Sequence, residues 1–218
     1  MSPVRVIPLV CPDCGNTVTG LRFDKVFFCM QCMQGLDPSS TGEWERREVY
    51  FPALSKDSMK PHFYLPFWQF AVRGTGTAVN KKQNMAVKKL EEIRSVWVAG
   101  FTAHKATYFG DLGLIFTQRA VELTPSYEKP HGAFIAGCTR GEEEAKVYVD
   151  LYTSLMADKR ADITGMEIKV DITGSVLWAV PFILNADKLV DLVMGNELPS
   201  FAVDDLEDIK RVGRIRQK

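Results

Sequence analysis

The chain has 218 residues, with 27 basic and 27 acidic side chains and a formal net charge of zero. Its apolar fraction of 46% and charged fraction of 25% are those of an ordinary globular protein, which excludes disordered and fibrous classes. Zero net charge argues against a protein whose whole surface binds a polyanion, although a local basic patch fits within that balance. A chain of this length forms one or two domains and buries a sizeable core.

The N-terminal segment carries no recognisable export signal. Residues 1–10 are too short for one, lack a basic region before an apolar stretch, and have no small-residue cleavage site. The longest apolar run covers only residues 176–184, whereas a helical membrane span needs about 20 residues. We therefore expect a cytoplasmic protein without a membrane span.

Four of the five cysteines form two Cys-x-x-Cys pairs near the N-terminus. The pairs are Cys11 with Cys14 and Cys29 with Cys32. Two sulfurs at this spacing bind one ion from a tight turn, and Gly15 and Gly35 relieve the steric cost of such turns. Two facing turns give a closed tetrahedral shell of four thiolates, which zinc favours. In a chain without an export signal, this pattern indicates metal binding in a reducing compartment rather than disulfides.

The sequence Cys-Pro-x-Cys-Gly followed by Cys-x-x-Cys resembles a zinc ribbon with transcription-factor-IIB-type or rubredoxin-like knuckles, over residues 5–38. The resemblance implies one structural zinc ion per chain, held by the four cysteines with no open position for catalysis. A rubredoxin-like iron site and a redox dithiol are the alternatives. The ribbon followed by the strand at residues 64–68 is similar to uncharacterised bacterial zinc-ribbon proteins, and this similarity implies no activity.

The turn-rich stretch 37–42 ends the ribbon, so we expect residues 1–40 to form the zinc ribbon and residues 41–218 an α+β domain. Period-two alternation predicts strands, and apolar residues at helical spacing predict helices. Residues 17–23 and 26–28 are predicted to form a hairpin between the two cysteine pairs, with its turn at Asp24-Lys25. The other predicted strands are 44–51, 63–72, 96–101, 120–124, 133–137, 166–172 and 175–184. The predicted helices are 81–92, 106–119, 142–156, 185–194 and 203–212.

Local signals define several of these boundaries. Residues 139–142 fit a capping box at the start of a helix. Residues 166–172 alternate between apolar and charged side chains, which indicates one solvent-exposed face and an antiparallel sheet, and Thr173-Gly174 is a predicted turn. We therefore predict a mixed, mainly antiparallel sheet with packed helices behind the small ribbon.

Two apolar strands contain an interior proline followed by phenylalanine, at Pro66 and Pro181. Proline removes a hydrogen-bond donor from the ladder, so such strands are expected at a sheet edge or with a bulge. An aromatic edge at the first of them would accept a partner strand, and an aromatic core with two bends is the alternative.

Outside the cysteine pairs few residues indicate chemistry. Cys138 is either a nucleophile beside His131 or a small buried thiol. His62 and His104 are isolated in the sequence. No catalytic residues, organic cofactor or small-molecule substrate are identified, so enzymatic activity is not expected.

The sequence favours a non-enzymatic interaction or scaffold protein, a subunit or adaptor of a protein assembly. Its partners would be another protein or a second copy of the chain. The alternative is a nucleic-acid-associated factor that uses the ribbon and the basic C-terminal tail, residues 211–218.

Overall fold

The computed structural model describes residues 9–18, 20, 23–38, 43–55, 59–101, 112–128, 130, 134–186 and 188–199. Within them, three helices accompany a three-stranded sheet and a seven-stranded sheet. The strands are β1 (Phe27–Cys29), β2 (Gln34–Pro38), β3 (Trp44–Arg47), β4 (Val49–Tyr50), β5 (Phe63–Thr77), β6 (Ser95–Ala99), β7 (Phe134–Ile135), β8 (Glu167–Asn185), β9 (Lys188–Asp191) and β10 (Glu197–Pro199). The helices are α1 (Asn84–Glu92), which follows a 3₁₀ turn (Lys81–Gln83), α2 (Leu112–Gln118) and α3 (Glu142–Asp158).

Most strand pairs are antiparallel. The small sheet has the order β1-β2-β3, and both of its pairs are antiparallel. Among the described residues β1 therefore forms its hairpin with β2, across the second cysteine pair, and not with the predicted partner at 17–23. The large sheet has the antiparallel path β10-β9-β8-β5-β6, to which β4 and β7 add parallel pairs with β8 and β5. The predicted α+β class, with a mixed and mainly antiparallel sheet and packed helices, is confirmed.

The long ladder between β5 and β8 forms the centre of the large sheet. All of β5 pairs with β8, and successive side chains point to opposite faces. On one face Trp68 belongs to the same buried cluster as Val149 of α3. On the other face Phe67 belongs to the same cluster as Phe116 of α2. Because both faces are covered there, the strand reads as a continuous apolar run.

Pro66 and Pro181 occupy places where the neighbouring strand changes. Near the prolines both strands have neighbours on each side, with β6 and β7 beside β5 and with β4 and β9 beside β8, which corrects the expectation of a sheet edge there. The Pro66 carbonyl accepts a hydrogen bond from Gly100 N at 2.9 Å, and the Pro181 carbonyl accepts one from Leu192 N at 2.9 Å. The N–H and C=O groups of one strand residue point to the same side of the strand. Each proline therefore lacks its N–H on the side where one short neighbouring strand ends and the next begins, between β7 and β6 for Pro66 and between β4 and β9 for Pro181. Neither proline therefore breaks the β5–β8 ladder.

The predicted turn at Thr173-Gly174 is wrong, because β8 continues through it as one strand. The register shifts between Ala71 and Val72, whose partners are Gly174 and Ile172. Thr173 is the extra residue of this bulge. A bulge bends a strand without ending it, so a turn-like dipeptide is accommodated inside the ladder.

The predicted helix over 185–194 is also wrong, because this segment forms β9 and a turn into β10. Leu189 is completely buried in the sheet core. The buried Asp191 carboxylate accepts hydrogen bonds from the backbone N–H groups of Met194 at 2.6 Å and Asn196 at 2.8 Å. Burial against the sheet and this carboxylate-centred turn outweigh the local helix propensity.

The remaining helix predictions have different outcomes. The helical prediction over 81–92 is confirmed. Of the predicted helix over 106–119, residues 112–118 are helical, and residues 106–111 lie outside the described residues. The predicted helix over 203–212 lies outside the described residues. Residues 120–124 form no strand, because Ala120 takes a left-handed φ of 49°. No helix in the described part of the chain is long and apolar enough to cross a membrane.

The small sheet packs directly onto the body. Val26 and Cys138 form an antiparallel bridge in which each backbone N–H donates to the other's carbonyl, at 3.1 Å and 2.9 Å. Val26, Phe28 and Met33 are buried in the same cluster as the side chains of α3. The boundary at residue 40 stays a prediction, but β3, which follows it, completes the small sheet.

Glu142, the first residue of α3, connects the small sheet, the helix and β8. Its Oε2 accepts a hydrogen bond from Arg47 of β3 and its Oε1 one from Ser175 of β8, both at 2.7 Å. Lys146 Nζ lies 3.3 Å from Oε1. Burial alone would raise the pKa of Glu142, but the hydrogen bond from Ser175 and the two cations outweigh burial and lower this pKa below its ordinary value of 4.5.

We expect Gly137→Ala to destabilise the protein by about 1–3 kcal/mol. A Cβ at this position would overlap the carboxylate of Asp24, so the bridge between Val26 and Cys138 must open. Gly174→Ala is the matched control, because a Cβ there meets no atom within 4 Å, and its stability stays within about 0.5 kcal/mol of the wild type. Urea unfolding of both variants measures the difference, and equal stabilities would contradict the described packing.

We expect Glu142→Gln to lower the free energy of unfolding at neutral pH by about 1–2 kcal/mol, since Arg47 and Lys146 lose the charge they face. A folded-state pKa below the unfolded value gives stability that is present above 4.5 and lost as the pH falls through the folded pKa. The two proteins should therefore converge in acid. Urea unfolding from neutral to acid pH tests this. Glu143→Gln is the control, because that carboxylate also pairs with Lys146, at 2.6 Å, but is 84% exposed, where an ion pair contributes little to stability. A gap that persists in acid would refute this role of the carboxylate.

Candidate metal centre

The first cysteine pair lies in a tight turn closed by backbone hydrogen bonds. Gly15 N donates to Cys11 O at 3.0 Å, and Cys11 N donates to Asn16 O at 2.8 Å. Gly15 takes a left-handed φ of 71°, and a Cβ there would meet no atom within 4 Å. The glycine therefore serves backbone conformation and not close packing, as the sequence analysis expected.

The second pair repeats this turn with a different residue in the left-handed position. Met33 N donates to Cys29 O at 2.7 Å, and Met33 has a φ of 54°. Gly35 was expected to relieve this turn, but it lies in β2, where a Cβ would approach the Arg47 Cβ to 3.0 Å. The strain at a left-handed methionine, about 1–2 kcal/mol, is offset by burial of its side chain in the main core.

The two turns bring the four predicted ligands together. The sulfurs of Cys11 and Cys32 are 3.8 Å apart, and those of Cys14 and Cys29 are 3.5 Å apart. All four Sγ atoms lie within 4.8 Å of one another. Four thiol sulfurs this close form a donor set able to hold one metal ion.

Backbone and amide donors surround the sulfurs. Asn16 Nδ2 donates to Cys14 Sγ at 3.4 Å, and Cys32 N donates to Cys29 Sγ at 3.4 Å. A hydrogen bond from the backbone of Asn16 lowers the pKa of Cys14 to about 6. Burial raises the pKa of Cys29. Neighbouring sulfurs resist joint ionisation without a cation among them.

An ion pair links the first turn to the small sheet. The Asp13 carboxylate accepts a hydrogen bond from Arg46 Nε at 2.9 Å and another from the Gln34 amide. The hydrogen bond from Arg46 lowers the pKa of Asp13 to about 2. Sequence reasoning missed this pair, although Asp13 stands inside the Cys-x-x-Cys motif, because the contact depends on β3 joining the small sheet. The carboxylate therefore holds the first turn against β2 and β3.

The other candidate residues lie away from the cluster. Cys138 is buried and its thiol donates to Arg140 O at 3.0 Å, and burial raises its pKa. These properties are those of a packed thiol rather than a nucleophile. His62 Nδ1 accepts a hydrogen bond from Leu184 N at 3.0 Å. His104 and His131 lie outside the described residues.

Comparison of the chain with protein-family models, with curated proteins and with solved structures finds no match. The features of the molecule that bear on function are therefore the cysteine cluster and the contacts that hold its two turns.

We expect Cys29→Ser to lose the bound metal, because three sulfurs and a hydroxyl no longer form a closed thiolate shell. Cys138→Ser is the matched control, since its hydroxyl can still donate to Arg140 O and it lies outside the cluster. Elemental analysis of both purified variants should give one metal ion per chain for the control only. Full metal retention in Cys29→Ser would refute the ligand assignment.

Proposed function

We propose that the four cysteines hold one structural zinc ion per chain and that residues 9–38 are a zinc ribbon. A regular tetrahedron with Zn–S bonds of about 2.3 Å has sulfurs about 3.8 Å apart. Two of the sulfur–sulfur separations, 3.5 and 3.8 Å, are close to this value, and all four sulfurs lie within 4.8 Å of one another. Cys11, Cys14, Cys29 and Cys32 would bind as thiolates, and zinc would supply the charge that lets them ionise together.

Iron is the competing metal, because a rubredoxin-like site has the same donors. In rubredoxin-like sites the Cys-Pro-x-Cys-Gly turn is the second of the two, whereas here it is the first. Zinc has no preferred d-electron geometry and favours closed four-thiolate sites. These points support zinc.

The metal's proposed role is structural. The cluster core of the small sheet contains four fully buried residues, and two of them are the ligands Cys11 and Cys29. So small a core does not supply enough buried apolar area, and small domains of this kind use a metal instead. The single observation that carries the proposal is that clustered cysteine sulfurs, rather than apolar side chains, occupy much of the core of the small sheet.

We propose that the whole protein is a non-enzymatic interaction or scaffold protein, a subunit or adaptor of an assembly. The structural metal supports this, as do the packed thiol of Cys138 and the backbone-bonded ring of His62. The outer face of α3 adds an apolar stripe: Val147, Leu151 and Leu155 are 71%, 50% and 40% exposed. Their spacing of four residues makes them neighbours, and contiguous exposed apolar surface is typical of protein contacts.

The charges of the small sheet weigh against the nucleic-acid alternative. Arg46 is paired with Asp13, Arg47 with Glu142, and Lys25 lies 3.8 Å from Glu144. Cations engaged by carboxylates are poorly available to phosphates. The basic tail at residues 211–218 lies outside the described residues.

Purification of the tagged full-length protein from its native source tests this proposal. We expect zinc near one ion per chain and a stoichiometric protein companion, or a second copy of the chain. Recovery of iron in place of zinc would overturn the metal assignment. Recovery as a free monomer without a companion would overturn the assembly role, and co-purifying nucleic acid released by salt would favour the alternative.

A further inference from the structure

The outer edge of β8 at its N-terminal end has no neighbouring strand among the described residues. β5 covers one side of β8 from Glu167 to Phe182, interrupted only by the bulge at Thr173. On the other side, β4 pairs only at Leu177 and Trp178, and β9 pairs only from Phe182 onward. The stretch 167–172 therefore extends past both short neighbours, with one side of its backbone open in the described sheet.

The register shows which residues direct their backbone groups outward. Val72 N donates to Arg94 O at 2.9 Å, so the backbone of Val72 faces away from β8. Ile172 is the partner of Val72, and opposed residues of an antiparallel pair either both face each other or both face away. By alternation Val170 and Ile168 also present N–H and C=O groups at the open edge.

The side chains along this edge alternate in charge as well as in polarity. Ile168, Val170 and Ile172 pack partly against the buried clusters beneath α1 and α3. Lys169 and Asp171 lie on the solvent side, with 74% and 49% of their side chains exposed, and they pair with each other along the strand at 2.9 Å. So exposed an ion pair contributes little to stability, and both charges can therefore exchange this contact for one with a facing strand. When such a strand pairs antiparallel with its own copy, a base and an acid two residues apart can lie opposite each other across the two strands.

We propose that a second copy of this chain pairs antiparallel with β8 along this edge, about a two-fold axis at Val170. In this register each Val170 faces its own copy, and Ile168 faces Ile172 of the other copy through outward backbone groups. Lys169 then lies opposite Asp171 of the second copy, at a position where side chains approach most closely. Each of these charges therefore meets its opposite, twice per dimer.

The charges also exclude the neighbouring registers. An axis at Lys169 or at Asp171 places that residue against its own copy, which brings like charges together. An axis at Ile168 still pairs Lys169 with an acid, Glu167, but moves Asp171 past the beginning of the facing strand. Of these registers, the one with its axis at Val170 pairs the longest stretch of backbone and places both charged residues opposite a residue of the other sign.

This dimer does not depend on the proposed zinc site. The edge belongs to β5 and β8, and none of the four clustered cysteines lies on it. Loss of metal and loss of self-association can therefore be measured separately.

Sedimentation equilibrium of the purified full-length protein tests the dimer. We expect a concentration-dependent monomer–dimer equilibrium, and we expect Lys169→Asp or Asp171→Lys alone to weaken it by about tenfold or more. The double exchange Lys169→Asp with Asp171→Lys restores opposite charges across the axis and should return the dissociation constant to within about threefold of the wild type. Lys88→Asp on the exposed side of α1 is the matched control and should leave it unchanged.

Thermal unfolding of each variant shows that it is folded. A wild-type chain that stays monomeric at every concentration would overturn the proposal. So would single and double variants that weaken association equally, because the opposed charges would then not be in contact. A monomer that instead carries a strand of another protein on this edge would also overturn it.

Discussion

The ladder between β5 and β8 is the constraint on which the other elements depend. Its register fixes both faces of the large sheet, so that α3 covers one face and α2 the other. It also decides where β4 attaches, since this strand pairs with β8 at Leu177 and Trp178. Because β3 ends two residues before β4 begins, the small sheet is positioned by the same ladder. A slip of one residue would exchange the two faces and displace the metal centre with them.

The N-terminal unit is held by two different kinds of interaction. The cysteine cluster joins the two tight turns, which have few apolar side chains of their own. Burial of Val26, Phe28 and Met33 joins β1 and the second turn to the body. Met33 takes part in both, because its backbone closes a cysteine turn while its side chain enters the main core. Loss of metal would therefore loosen the first cysteine turn more than β1, because burial in the main core still holds β1.

The sequence predicted the features that depend on near neighbours and missed those that depend on the assembled sheet. The four cysteines and α1 follow from spacing within short segments, and the structure has both. The segment 185–194 has helical spacing, yet it becomes a strand because β8 offers a partner and the core receives Leu189. The left-handed turn at Met33 could not be read either, since the burial that offsets its strain comes from residues distant in sequence.

The positions of proline distinguish the open edge of β8 from the other interruptions of the sheet. Pro66 and Pro181 remove N–H groups at junctions where no continuous strand could accept them. Residues 167–172 contain no proline, and their outward backbone groups are retained. Proteins that need only to prevent edge pairing place proline, lysine or a bulge there. Here the bulge at Thr173 lies just past the edge segment, and Lys169 of this segment is accompanied by Asp171. Because the two charges have opposite signs, the edge remains compatible with its own copy and disfavours strands that would place like charges opposite each other.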